Sequence, residues 1–293
     1  MVDFRNLDVG GAIFRVVRLR ARTTLLRWHV GAGDPLAWRS VPVDAGPEID
    51  WSNEGPAGVV AVFNGGFKQG ADAGGSLVDN VPLVPLVRGD ATVALNALGH
   101  WEMGVWGQPG FPTAGFSPIA VRQNLVLMVS HSLITSAVTT GLFARWGATI
   151  ANAPAVARSG LGVDAQGNLL YVATMTPVTV IQLARALVAA GALTAMQLDI
   201  NPYWPILGIA TPAQHGSAPF KYQLPGSLHD ATIYDTGWQR DFFVALAEPG
   251  QWNCAWRSRG VNPAVAGPQA QPLVEVGPGC PGHRARALGP RRH

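Results

Sequence analysis

The sequence predicts an α+β fold: a twisted, largely antiparallel sheet with a few packed helices, in one loop-rich domain. Short apolar runs alternate with polar, glycine-containing turns, the pattern of successive hairpins. One segment, 179–191, instead repeats its apolar residues at helical spacing between recognisable caps. The chain has 293 residues, 48% of them hydrophobic and 13% charged, which supplies enough apolar material for a sizeable core. Its 35 glycines and ten tryptophans suit many tight loops and either an aromatic-lined cleft or an aromatic core.

From the N-terminus, Ile13 to Leu19 and Thr24 to Val30 read as consecutive strands, the first running into the second through the arginine-rich bend Arg18-Leu19-Arg20-Ala21-Arg22. Val59 to Phe63 is a continuous apolar run bounded by Gly58 and Asn64, as in a buried strand. It delivers the chain into Asn64-Gly65-Gly66. The two glycines permit either a tight turn or a nest of backbone N–H groups for an anion. Lys68, one of two lysines in the chain, follows them and offers a compact ammonium at this loop. Leu83 to Val87 and Ala91 to Leu95 flank Arg88-Gly89-Asp90 as another hairpin. Trp101 to Trp106 alternates like a strand, and Arg122-Gln123-Asn124 lead into the apolar run Leu125 to Val129.

The stretch from Arg158 to Asn201 is the most informative. Arg158 to Val163 and Leu169 to Ala173 flank the turn Asp164-Ala165-Gln166-Gly167-Asn168. In the helix that follows, Thr179 and Gln182 stand three apart like a capping box, Ile181, Ala184, Leu187 and Val188 recur at helical spacing, and Gly191 stands where a left-handed C-cap belongs. A buried strand, Leu193 to Leu198, then stops at Asp199-Ile200-Asn201-Pro202, because proline neither continues a helix nor pairs in a sheet interior. Asp199 therefore sits at a strand end, where a carboxylate can serve a ligand or simply organise its own turn.

Residues 1–251 form one domain in this reading, and 252–293 form a Pro/Arg-rich tail expected to be disordered. The tail holds six arginines against one acid, Glu275, so the formal charge of +3 leaves the body slightly acidic. That distribution argues against a nucleic-acid partner. Cys254 and Cys280 both fall in the tail, where they could form one bridge in an oxidising compartment; their spacing is not that of a zinc site. No run of about 18 apolar residues marks a membrane span. Met1 to Arg5 does not open a signal peptide either.

Arg158-Ser159-Gly160-Leu161-Gly162-Val163, the hairpin, the helix and Ala195-Met196-Gln197-Leu198-Asp199-Ile200-Asn201 together resemble the phosphodiester glycosidase family, the N-acetylglucosamine-1-phosphodiester alpha-N-acetylglucosaminidase-like domains. Phe63-Asn64-Gly65-Gly66-Phe67-Lys68, Gly104-Val105-Trp106-Gly107, Val121-Arg122-Gln123-Asn124-Leu125, Trp146-Gly147 and Arg240-Asp241-Phe242-Phe243 agree in the same order. Many members follow Leu-Asp with glycines and a serine. Ile200-Asn201-Pro202 stands there instead, as in a bacterial, actinobacterial-looking branch.

The resemblance implies a hydrolase acting on a sugar-1-phosphodiester or a related phosphorylated envelope glycan, in an extracytoplasmic or envelope setting. Arg122 and Arg158 are suited to hold two phosphate oxygens at once. Asn64, the Gly65 and Gly66 amides, Lys68, Asn124, Ser159 and Asn201 are candidate substrate contacts. Asp199 is the candidate carboxylate for the anomeric carbon, as nucleophile or as base for water. A phosphate monoester departs as a stable anion, so one carboxylate with arginines suffices; Asp79 and Glu102 are possible partners. No cofactor is expected, although Asp199 and Asn201 with backbone carbonyls could take a divalent cation. His100, His131, His215 and His229 offer an alternative proton shuttle. A non-catalytic phosphoglycan-binding module and attack at phosphorus are the competing functions.

Overall fold

The computed structural model describes residues 2–35, 45–71, 73–210, 220–248 and 274–276. Three antiparallel sheets dominate it. The largest runs β11 (Leu133–Ile134), β10 (Leu127–Ser130), β14 (Ala192–Ile200), β12 (Val156–Asp164), β13 (Leu169–Val178), β2 (Ala12–Leu19), β1 (Val2–Val9) and β18 (Val274–Val276). A second sheet runs β16 (Phe220–Gln223), β15 (Leu207–Ala210), β4 (Val59–Asn64), β17 (Phe242–Ala247) and β3 (Thr24–His29). The third runs β6 (Val81–Val84), β5 (Ser76–Val78), β9 (Pro118–Gln123), β7 (Ala91–Asn96) and β8 (Trp101–Val105).

The expected α+β class is therefore corrected to a mainly-β one. Among the described residues α1 (Glu54–Ala57) and α2 (Ser136–Thr139) are single turns, and only α3 (Val180–Ala190) is longer. The reason lies in the punctuation. Apolar runs between the glycine and proline signals are strand-length, too short to complete the three turns of an ordinary helix.

Sheets supply the packing partners that further helices would have supplied. One face of the large sheet, through Val17, Leu161, Tyr171, Met196 and Leu198, meets Phe63 and Phe243 of the second sheet and Val93 and Leu95 of the third. Its opposite face, through Phe14, Val16, Val172 and Ala195, is covered by Leu183 and Leu187 of α3. The second sheet is covered again on its far side, where Val62, Phe242 and Val244 pack with Ile49 and Tyr234. This two-sided burial explains why β4 and β17 are apolar without alternation.

Local signals decide most turns. Gly10 and Gly11, both at positive φ, join β1 to β2, and Asp79 and Asn80, at φ 46° and 63°, join β5 to β6. The β12–β13 hairpin forms with Val163 opposite Leu169, and the Asp164 carboxylate accepts from the Gln166 and Asn168 amides at 2.9 Å each. Gln182 Oε1 accepts from the Thr179 amide at 2.9 Å at the start of α3, and Gly191 closes it at φ 105°.

Two expected connections differ. β2 and β3 do not continue one another; the bend around Arg20 moves the chain from the large sheet to the second. Leu83 to Leu95 is not a hairpin either, since β6 pairs with β5 while β7 pairs with β8 and β9. The connecting segment is held by Gln123, whose side chain accepts from the Gly75 and Val87 amides at 2.7 Å and donates to the Val87 carbonyl at 2.9 Å. In the C-terminal segment, β18 pairs with β1. The rest of 252–293, with Cys254 and Cys280, lies outside the described residues.

Candidate active site

The ends of β4 and β14 meet where the large and second sheets converge. Asp199 N donates to Gly65 O at 3.2 Å, so the Asn64-Gly65 turn and the Asp199 strand end are directly bonded. Opposite Asp199, β12 shifts register between Arg158 and Gly160. A bulge of this kind re-aims a side chain; Ser159 Oγ donates to Asp199 O at 2.8 Å and accepts from Asn64 Nδ2 at 3.0 Å. Asn64 Oδ1 in turn accepts from the Tyr171 hydroxyl at 2.7 Å and the Ile206 amide at 3.2 Å. Asn64 is thus a fully used buried node that fixes backbone.

Asp199 is 5% exposed. Oδ1 accepts from the Ile200 amide at 2.9 Å, and Oδ2 lies 2.6 Å from Arg240 Nη2. Burial pushes its pKa up to about 7, against the opposing pull of Arg240 and the Ile200 amide. Arg240 also donates to Gly66 O at 3.2 Å, and its guanidinium carbon lies 4.8 Å from the centre of the Trp204 ring. Its Nε is buried without a hydrogen-bond partner among the described residues, 3.7 Å from Asp34 Oδ2. Asp34 is anchored by the Gln69 amide at 2.7 Å.

Arg122 is fully buried and committed elsewhere. Its Nε and Nη2 grip Asp241 at 2.8 and 3.2 Å, Nη2 donates to Phe67 O at 2.6 Å, and Nη1 donates to Gln123 O at 2.8 Å. Asp241 Oδ2 accepts as well from Trp28 Nε1 at 2.9 Å and the Gly66 amide at 3.3 Å, while Asp241 O accepts from the Gly65 amide at 2.8 Å. The expected anion nest at Gly65-Gly66 is therefore filled by a residue of the chain itself. Both glycines are needed for close approach: a methyl at Gly65 would overlap the Asp241 carboxyl, and one at Gly66 would lie 2.9 Å from Arg122 Nη2.

Arg158 is separate from Asp199 in its bonding. Its Nε donates to Val178 O at 3.0 Å and its Nη1 to Gln197 Oε1 at 2.8 Å, while Nη2 is buried with no partner among the described residues. Burial lowers its pKa to about 10. Asn124 accepts from the Phe67 amide at 2.9 Å and donates to Gln197 O at 2.7 Å, tying the glycine loop to β14. Asn201, at φ 73°, spends its amide on Ala148 O and the Ile150 amide at 3.1 Å each, so it fastens the 148–150 segment. Lys68 is exposed at the loop.

The other candidates have positions and partners of their own. Asp79 occupies the β5–β6 turn, and Glu102 accepts from the Thr113 amide at 2.8 Å. His131 Nδ1 pairs with Ser130 Oγ, His100 follows β7, and His215 lies outside the described residues. His229 packs on Trp238 with centres 5.0 Å apart. Among the described residues no group of three or more His, Cys, Asp or Glu side chains is placed to hold a metal ion. No described helix is long and apolar enough to cross a membrane. The residues that sequence reasoning missed are Arg240, Asp241 and Asp34. The first two had a visible signal, since Arg240-Asp241 enters the apolar β17 as Arg122-Gln123-Asn124 enters Leu125 to Val129.

No family model and no curated protein matches the sequence. Solved structures similar in fold include the following three. The zebrafish N-acetylglucosamine-1-phosphodiester alpha-N-acetylglucosaminidase catalytic domain, auto-inhibited by its pro-peptide, is 12% identical with a TM-score of 0.49, over 85% of this chain and 82% of that one. A hypothetical protein from Synechocystis is 12% identical with a TM-score of 0.50, over 84% of this chain and 61% of that one. A protein from Burkholderia pseudomallei is 12% identical with a TM-score of 0.41, over 81% and 74%. At this identity the likeness is one of fold alone.

Proposed function

We propose that the chain is a hydrolase that cleaves the glycosidic C–O bond of a sugar-1-phosphodiester, with Asp199 as the acting carboxylate. The observation that carries this reading is the Asp199 carboxyl itself: buried at a strand end, paired with Arg240 at 2.6 Å, and raised to about 7. A carboxyl titrating near neutrality is suited to accept a proton there. Water adds to the anomeric carbon as its proton passes to Asp199 Oδ2, and the C–O bond breaks with its electrons on the departing phosphate monoester. Arg240 replaces Arg122 and Arg158 as the phosphate contact, because it is the arginine that touches the Asp199 carboxyl. The resemblance of the motif order to that of phosphodiester glycosidases points to the same assignment.

A phosphoglycan-binding module is the competing reading, favoured by the ion pair that occupies Oδ2. Asp199→Asn separates the two. Release of N-acetylglucosamine from an N-acetylglucosamine-1-phosphodiester should fall at least about a hundredfold, as removing a general base does, while binding by calorimetry persists. A wild-type protein that binds without turnover would establish the module. Hydrolysis in oxygen-18 water should place the label in the sugar; label in the phosphate would show attack at phosphorus.

A further inference from the structure

Beside the Asp199–Arg240 pair lies a row of aromatic rings that the proposed chemistry does not use. Tyr203 and Trp204 follow Asn201-Pro202 in the same turn that ends β14. Ring centres are 6.2 Å apart from Tyr203 to Trp204, 6.2 Å from Trp204 to Trp238, and 5.0 Å from Trp238 to His229. Tyr203 is 46% exposed and the other three are partly exposed. The turn is not loose: Trp204 N donates to Asn201 O at 3.3 Å, and Ser227 Oγ ties Pro205 O at 2.9 Å. Arg240 stacks on Trp204, which joins the row to the carboxylate.

Contiguous exposed aromatic surface at the edge of a polar site marks a place where a ligand lies. A pyranose ring presents C–H faces that pack on such rings, while its hydroxyls reach polar tips like the Tyr203 hydroxyl and the His229 imidazole. An apolar chain fits less well, because it would cover the Tyr203 hydroxyl and the exposed Asp230 carboxylate beside His229 without offering either a hydrogen bond. We propose that Tyr203, Trp204, Trp238 and His229 form a saccharide-stacking subsite, receiving a neutral sugar unit that adjoins the scissile phosphodiester. The substrate is then an oligosaccharide derivative. This rests on Asp199 being the acting carboxylate.

The test uses the full chain carrying Asp199→Asn, titrated with triacetylchitotriose, mannotriose and maltotriose while tryptophan fluorescence is followed. At least one trisaccharide should quench saturably, and Tyr203→Ala and Trp238→Ala should each weaken it by roughly tenfold, the scale of one aromatic contact. Tyr203 is the safer variant, since its ring is exposed and its loss leaves the core intact. No quenching by any of the three, or equal quenching in the Tyr203→Ala protein, overturns the subsite. Ring-dependent binding in a wild-type protein that never hydrolyses a phosphodiester would sink the catalytic reading and leave the subsite standing. Hydrolysis with KM unmoved by Tyr203→Ala would do the reverse.

Discussion

Three arginines look interchangeable in the sequence and have three different surroundings in the fold. Arg122 neutralises Asp241 inside the protein, Arg158 is buried without an acidic partner among the described residues, and Arg240 meets Asp199 at the strand end. Removing one member of a buried pair leaves an uncompensated charge. Arg122→Met should therefore cost about 3–5 kcal/mol in urea unfolding, since Asp241 would keep its charge with no cation. Arg158→Met should leave the midpoint unchanged or raise it, because a buried unpaired cation of similar volume is replaced by an apolar side chain. Asp199 contributes to the pH dependence. Its carboxyl holds a proton more tightly folded than unfolded, so its contribution favours the folded state at low pH. That contribution falls as pH rises from about 4 to about 7 and is flat above. Asp199→Asn should flatten that part of the stability curve, and kcat/KM of the wild type should rise with pH to a plateau above about 7.

At the scale of elements, hairpins and the single long helix were legible because their signals are local. The turn 164–168 carries its own acceptor in Asp164, and α3 carries both its caps. The segment 83–95 was misread for the opposite reason: its partner is the Gln123 side chain, remote in sequence, which no turn chemistry reveals. Gly65-Gly66 was ambiguous between a turn and an anion nest, and the answer depended on Asp241, which lies in another strand's approach. A Gly65→Ala substitution should lose more than about 2 kcal/mol or fail to accumulate folded protein, because the added methyl and the Asp241 carboxyl claim one volume. Thermal melting of the purified variant checks this.

In the whole molecule, the site exists because the large and second sheets are joined at Asn64. That side chain bonds Ser159 and Tyr171 of one sheet and the Ile206 amide that leads into the other. Asn64→Ala should cost about 1–3 kcal/mol, since buried groups lose their partner, and should also lower turnover by loosening the Asp199 backbone. Leu187→Ala, in the α3 layer on the far face, should cost about 2–5 kcal/mol through its cavity. Its turnover per folded molecule should be that of the wild type. Measuring stability and kcat on both variants separates a joint that positions chemistry from packing that only supports it.

The sequence by itself determined the strands of the Arg158–Asn201 unit, the capped helix, the buried run into Asn64-Gly65-Gly66 and the position of a carboxylate at the end of β14. Each follows from spacing, glycine or proline acting within a few residues. Tertiary structure alone decided that Asp241 fills the Gly65-Gly66 loop, that Arg240 faces Asp199 and that Arg122 is consumed by Asp241. Those outcomes depend on which strand ends three sheets bring within hydrogen-bond reach, and a buried charge takes the nearest counter-charge that packing provides, however far away it stands along the chain.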